Sequence, residues 1–287
     1  MKLAQRIVLA YYKKKFRVLS IVSPKRAARI AFALFCTPYT PKRKRNLLLI
    51  TPGGQRIEWM LYGNKVVGHQ WRAAKNSNGK TILICHGFDS SSARFNEYIG
   101  GLTHAGFTVL AFDAPAHGNS SGSIITVLLY ADLIERILIH YGPLHGIICH
   151  SFGGLATVLA LERFETPVCQ YLVMVSPSTE TISAIEQFLK FLSIPNTVKT
   201  HFYQLIETLS GKHPTWFSVA RAIEQLSVKT LWIHDKMDNV TPFKDVEPVL
   251  QKAPTHISFS ITEGLGHSPY RNKDVMQKIF QFVSAHI

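Results

Sequence analysis

The segment "GIICHSFGGLAT", residues 146–157, decides how the rest of the chain is read. An apolar run ends at His150-Ser151-Phe152, two glycines follow, and an Ala- and Leu-rich stretch starts at once. A β-like run that gives way so abruptly to a helical pattern predicts a sharp strand-to-helix turn with Ser151 at its tip. Gly153 and Gly154 supply the room a helix needs to pack close behind such a turn. A serine followed by glycines is also an ordinary strand-end loop, so the flanking sequence must separate a nucleophile from a plain turn.

Outward from this segment, short apolar runs alternate with helical stretches. Runs near 65–72, 80–86, 107–113, 145–150, 169–176, 228–234 and 256–262 predict strands, several of them continuously apolar as buried parallel strands require. Helical patterns lie between them at about 94–105, 123–141, 153–163, 243–252 and 271–286. That alternation predicts an α/β fold with a mostly parallel, doubly wound sheet, whose chemistry gathers at the carboxyl ends of the strands. From about 178 to 227 the rhythm breaks into helical patterns punctuated by Pro195 and Gly211, which predicts a helical lid inserted between two strands.

The amino end differs from the body. Residues 1–46 hold 13 Lys or Arg and no acid, and the first acid is Glu58, so of the net charge of +14 residues 47–287 contribute 19 basic against 18 acidic groups. "KLAQRIVLAYYKKKFRVLSIV" places Leu3, Ile7, Ala10, Tyr11, Val18 and Ile21 at helical spacing with cations between them. Ser23-Pro24 predicts an N-cap and first-turn proline for a second helix that stops at Thr37-Pro38. "TPKRKRN" predicts an exposed basic linker. Residues 1–46 are therefore expected to form a basic amphipathic helical extension and 47–287 the main domain. The extension is expected either to pack on the body or to attach to an anionic membrane surface. A nearly neutral body makes nucleic acid an unlikely partner.

Cys36, Cys85, Cys149 and Cys169 are widely separated, form no CxxC pair and have no zinc-like spacing, so they predict reduced core thiols, no metal site and a cytoplasmic protein. Should the basic end attach to a membrane, the expected location is cytoplasmic and peripheral to its inner face. No apolar run approaches the length of a membrane span, and Lys13-Lys14-Lys15 interrupts the stretch that a signal peptide would need.

A serine nucleophile needs a base, and the base needs an orienting acid. "TLWIHDKMDNVTP" predicts a strand ending in a polar loop with Asp238 in it, and "FSITEGLGHSPY" another strand with His267 just after a Gly-x-Gly turn. The chain order is Ser151, Asp238, His267. Together with "CHGFDSS", "FDAPAHGNS" and "CHSFGG", these segments resemble the α/β-hydrolase superfamily from about residue 47 onward, in the manner of its serine esterases and lysophospholipases. The resemblance implies that Ser151 is the nucleophile, His267 the general base and then acid, and Asp238 its orienting partner. It further implies an oxyanion hole of the Phe88 and Phe152 backbone N–H groups, and no cofactor.

Two positions depart from the family pattern: Cys149 stands where the turn usually has glycine, and Ala116 where glycine usually precedes His117. Asp235 and Glu263 are rival acids; His86 and His117 are rival bases that the resemblance makes structural. His150, Phe188 and Trp216 are candidates for an acyl pocket, the last two from a lid whose apolar residues serve equally well as core. The expected activity is cleavage of a small-molecule carboxylic ester or thioester with a lipophilic acyl group. C–C bond hydrolysis, acyl transfer and haloperoxidase chemistry use the same triad, and a non-catalytic hydrolase-fold interaction protein is the reading from another class. Serine at the turn argues against dehalogenases and epoxide hydrolases, which carry Asp there, and "HGF" against the HGGG esterases.

Overall fold

The computed structural model describes residues 3–39, 51–73 and 76–285, so the basic linker expected within 40–46 lies outside the described residues. Eight strands, β1 (Gln55–Leu61), β2 (Asn64–Trp71), β3 (Thr81–Cys85), β4 (Thr108–Asp113), β5 (Leu144–His150), β6 (Cys169–Val175), β7 (Lys229–Asp235) and β8 (Ile257–Thr262), form one sheet in the order β1-β2-β4-β3-β5-β6-β7-β8. β2 runs antiparallel to both β1 and β4, and every other pair is parallel. The expected strands are present. β1 was not anticipated, because this edge strand alternates exposed and half-buried residues and ends in only one buried side chain, Leu61.

In chain order the described helices are α1 (Leu3–Val22), α2 (Pro24–Phe35), α3 (Asn96–His104), α4 (Val127–Tyr141), α5 (Phe152–Leu161), α6 (Thr181–Phe191), α7 (Asn196–Ser210), α8 (Val219–Ile223), α9 (Glu247–Lys252) and α10 (Lys273–Ser284). Local chemistry sets several of their ends. Thr126 caps α4 by accepting the Leu129 N–H at 3.2 Å, and Asn272 caps α10 through the Asp274 and Val275 N–H groups. Gly211, in the left-handed conformation at φ 69°, terminates α7.

The chain divides into two compact units. The larger contains the sheet with α3, α4, α5, α8, α9 and α10. β5 is buried at every position, and α5 is buried from Gly153 to Leu161, so this helix is apolar on all sides rather than amphipathic. Ile82, Ile84, Val109, Ile148, Val173 and Ile233, all at most 1 % exposed, form the centre of the core. At roughly 2 kcal/mol per fully buried aliphatic side chain, these positions hold the parallel strands in register.

The smaller unit joins the amino-terminal helices to Glu180–Ser218. Phe35 of α2 meets Phe188 of α6 and Phe202 of α7 edge-on at 5.3 and 5.8 Å, and Phe32 meets Phe202 at 5.7 Å. The aromatic face of α2 is thus buried against the inserted helices, and the amino-terminal helices share one core with them. The inserted part of this unit runs from Glu180 to Ser218. α8, which follows it, belongs to the sheet unit, where Val219, Ala222 and Ile223 are buried and Arg221 binds Glu162 at 2.7 Å. Among the described residues, no helix is long and apolar enough to cross a membrane.

Candidate active site

The parallel register sets Cys85 beside Cys149 and His150 beside Val175, so β3, β5 and β6 end together and β7 and β8 end next to them. Ser151 follows β5 directly at φ 54°, ψ −122°, a left-handed region that a residue with a Cβ adopts only when its surroundings force it to. Its own N–H is held by the Val175 carbonyl at 3.1 Å. The turn tolerates no side chain behind it: a Cβ on Gly153 would lie 2.5 Å from the His86 carbonyl oxygen, and one on Gly154 2.8 Å from Pro177. Cys149 does not crowd the turn. Its Sγ lies at ordinary van der Waals distance, 3.7 Å, from the Cβ position of Gly154, and the thiol donates to the Val173 carbonyl at 3.3 Å.

The loops after β7 and β8 bring two more side chains to Ser151. The Asp238 carboxylate accepts the Val240 N–H at 2.8 Å, the Thr241 N–H at 2.9 Å and the Thr241 hydroxyl at 2.8 Å. His267 Nδ1 lies 2.8 and 3.1 Å from the two Asp238 oxygens, so this nitrogen carries the proton. Nε2 is thereby left as an acceptor, and it receives the Ser151 hydroxyl at 2.9 Å. The His267 side chain is 21 % exposed whereas that of Asp238 is fully buried, so an incoming molecule reaches the imidazole but not the carboxylate. Burial by itself raises the Asp238 carboxyl; the hydrogen bond and charge of His267, with the Thr241 donors, outweigh it and hold the group well below the usual carboxylate range.

The rival residues have other tasks. Asp235 accepts the Met237 N–H, the Thr262 hydroxyl and the Leu265 N–H, tying the β7 loop to the turn that precedes His267. Glu263 is exposed and pairs with Lys236 at 3.2 Å. His86 donates from Nδ1 to the Gly87 carbonyl and accepts the Ala114 N–H at Nε2; His117 donates from Nδ1 to Pro115 and accepts the Asp89 N–H. Both rings are held by these hydrogen bonds between loops. Ala116 sits at φ 66°, so the departure from glycine there is a backbone strain of about 1–2 kcal/mol.

His150 donates from Nε2 to the His267 carbonyl at 2.8 Å, and its ring lies 4.8 Å from that of His267 and 4.7 Å from that of Tyr270. Burial, and then the charge of His267, push its imidazole down to about 3. Phe88 and Phe152 meet edge-on at 5.6 Å, and among the described residues neither backbone N–H has a hydrogen-bond acceptor. Phe188 and Trp216 belong to the helical unit, where Phe188 lies against Phe35 and Trp216 edge-on to Phe217 at 5.3 Å. Thr241 was missed from the sequence, although an Asp followed three residues later by Thr is a recognisable turn pattern. Tyr130 was also missed: buried in α4, it donates to the His86 carbonyl at 3.1 Å.

The chain is similar in sequence and fold to several known proteins. A family model described as serine aminopeptidase, S33, matches residues 76–218, which include Ser151. A Mycoplasma genitalium protein provisionally described as an esterase/lipase is 24% identical over 246 residues, covering 72% of this chain and 89% of the relative. An esterase from Pyrococcus furiosus superposes with a TM-score of 0.60 at 20% identity, over 81% of this chain and 90% of its own. A bacterial membrane phospholipase A superposes with a TM-score of 0.60 at 17% identity, over 99% of this chain and 97% of its own.

Proposed function

Because the chain belongs to the α/β-hydrolase superfamily, we propose that it is a serine hydrolase that cleaves a carboxylic ester or thioester with a lipophilic acyl group through an acyl-enzyme intermediate. In this reading the Ser151 hydroxyl gives its proton to His267 Nε2 as the oxygen attacks the acyl carbon. Asp238 holds the imidazole in the required tautomer and stabilises the imidazolium. The Phe152 and Phe88 N–H groups receive the oxyanion, supplying donors that need no reorganisation as charge develops. The imidazolium returns its proton to the departing alcohol or thiol. Water, deprotonated by the same nitrogen, then attacks the acyl-serine, releasing the acid and restoring the hydroxyl.

The observation that carries the proposal is the continuous hydrogen-bonded line from buried Asp238 through His267 to a serine in a strained left-handed turn. A structural serine has no need of such strain, which costs about 1–3 kcal/mol and survives where it serves a site. For the lipophilic acyl group the support is coarser: a monoacylglycerol lipase from Paleococcus ferrophilus and the membrane phospholipase A share the fold. The test is hydrolysis of p-nitrophenyl esters from acetate to palmitate by the wild type and Ser151→Ala, with a fluorophosphonate probe alongside. Turnover and labelling that vanish in the variant, with an optimum at longer chains, are expected. Turnover unaffected by the substitution would refute the nucleophile, and an optimum at acetate the acyl preference.

A further inference from the structure

The outer face of α1 is an apolar stripe left uncovered. Ile7, Val8, Tyr11, Val18, Ile21 and Val22 are 61, 54, 58, 52, 81 and 74 % exposed. At 3.6 residues per turn all six fall within roughly 140° of one side of the helix. The opposite side is occupied, since Phe16 is fully buried and stacks on Tyr12 at 6.3 Å. Exposed Lys14 and half-buried Lys15 fall inside the same arc at mid-helix, between the apolar residues of the first and last turns, and Lys15 holds its ammonium 5.7 Å from the Tyr11 ring centroid. Arg6 and Arg17 are exposed beside it, and α2 adds exposed Lys25, Arg26 and Arg29. Neither helix contains an acid, and among the described residues none of these cations forms an ion pair.

We propose that α1 docks on an anionic phospholipid bilayer and lies in the plane of the interface, with this stripe at the acyl boundary and its lysines and arginines on the headgroups. The proposal goes beyond the hydrolytic reading and does not depend on it. Cations in the middle of the helix prevent it from spanning the bilayer, whereas a helix lying flat lets their long stems reach outward to phosphate. A second copy of the chain fits the stripe poorly, because pairing two such helices would set like charges against one another with no acid to relieve them. Nucleic acid would use the cations but leave the apolar stripe in water. Because α2 packs its aromatic face on α6 and α7, a membrane bound to α1 holds the whole helical unit and not a loose tail.

The test is co-sedimentation of the full chain with phosphatidylcholine vesicles with and without phosphatidylserine. The variants are Val18→Glu/Ile21→Glu and Lys14→Gln/Lys15→Gln; Ser151→Ala serves as a catalytically silent control. Binding that requires phosphatidylserine and weakens as salt rises is expected. The apolar double variant should bind at least about tenfold more weakly, and each removed lysine should cost roughly fivefold. Soluble-ester turnover and thermal midpoint should be unchanged in both, and Ser151→Ala should bind like the wild type. Equal binding with and without phosphatidylserine, or no loss in the apolar variant, would overturn the proposal. A lipid-free dimer that Ile21→Glu dissolves would overturn it in favour of a second copy, and tight binding of duplex DNA without vesicle binding in favour of nucleic acid.

Discussion

Replacing Asp238 by Asn tests the logic of the site at a single atom. The Val240 and Thr241 N–H groups point at one carboxylate oxygen at 2.8 and 2.9 Å, so the carbonyl of an asparagine must take that place. Its NH2 group then falls where the other oxygen now lies, 2.8 Å from His267 Nδ1. An amide donor there forces Nδ1 to accept, moving the imidazole proton to Nε2 and aiming it at Ser151. The base is then blocked without being displaced, and kcat is expected to fall by about four orders of magnitude, about 5 kcal/mol of barrier, with KM little changed.

The substitution should also alter the acid response of the fold. The Asp238 carboxyl is held below its unfolded value, so its contribution to stability is complete above about pH 4 and is lost as pH falls toward the folded value. In Asp238→Asn the thermal midpoint should therefore decline less steeply below about pH 4. Steady-state ester hydrolysis and thermal melts across the acid range measure both effects. Activity within about tenfold of the wild type would refute the tautomer argument. So would Asp235→Asn losing as much kcat at an unchanged midpoint; its hydrogen bonds to Thr262 and Leu265 predict instead a stability loss of about 1–3 kcal/mol.

Thr241→Val removes the hydroxyl that donates to Asp238, and should lower kcat/KM by about tenfold and stability by about 1–2 kcal/mol; wild-type values of both would show that Asp238 needs no such support. Gly153→Ala sets a methyl 2.5 Å from the His86 carbonyl and 2.7 Å from that of Cys85, so stability should fall by an overpacking cost of about 1–3 kcal/mol or more and the thermal midpoint with it; an unchanged midpoint would refute the close packing of helix on strand. Burial pushes the Cys36, Cys85 and Cys169 thiols up to about 12 and Cys149 well above its ordinary value, so iodoacetamide near pH 8 should label none of them until the protein unfolds. Stoichiometric labelling of the native protein would contradict the buried placement.

Most of the fold is legible along the chain because it is written in short periods. β5 reads as a strand from the short apolar run near 145–150, and Ser23-Pro24 and Gly211 mark helix ends by conformational preferences that belong to the residues themselves. β1 was not legible, since an edge strand with one buried residue carries almost no pattern. The ordered motifs also name Ser151, Asp238 and His267 by resemblance, with Asp235, the last residue of β7, as a rival acid three residues earlier. That choice is a matter of angstroms: Asp238 reaches Nδ1, while Asp235 is consumed by the turn before His267.

The remaining histidines are the same kind of question. His86, His117 and His150 all sit at or near strand ends, and only the carbonyls and N–H groups around each ring assign the proton and exclude it as a base. The partnership of α2 with helices some 150 residues further along is likewise absent from any local pattern, because an aromatic face signals that it will be buried but not against what. The sequence by itself determined the elements, their order and the chemical inventory, since these follow from spacing and backbone preference. Tertiary structure decided which of those groups meet, because a hydrogen bond between residues 116 apart depends on how every strand between them is packed.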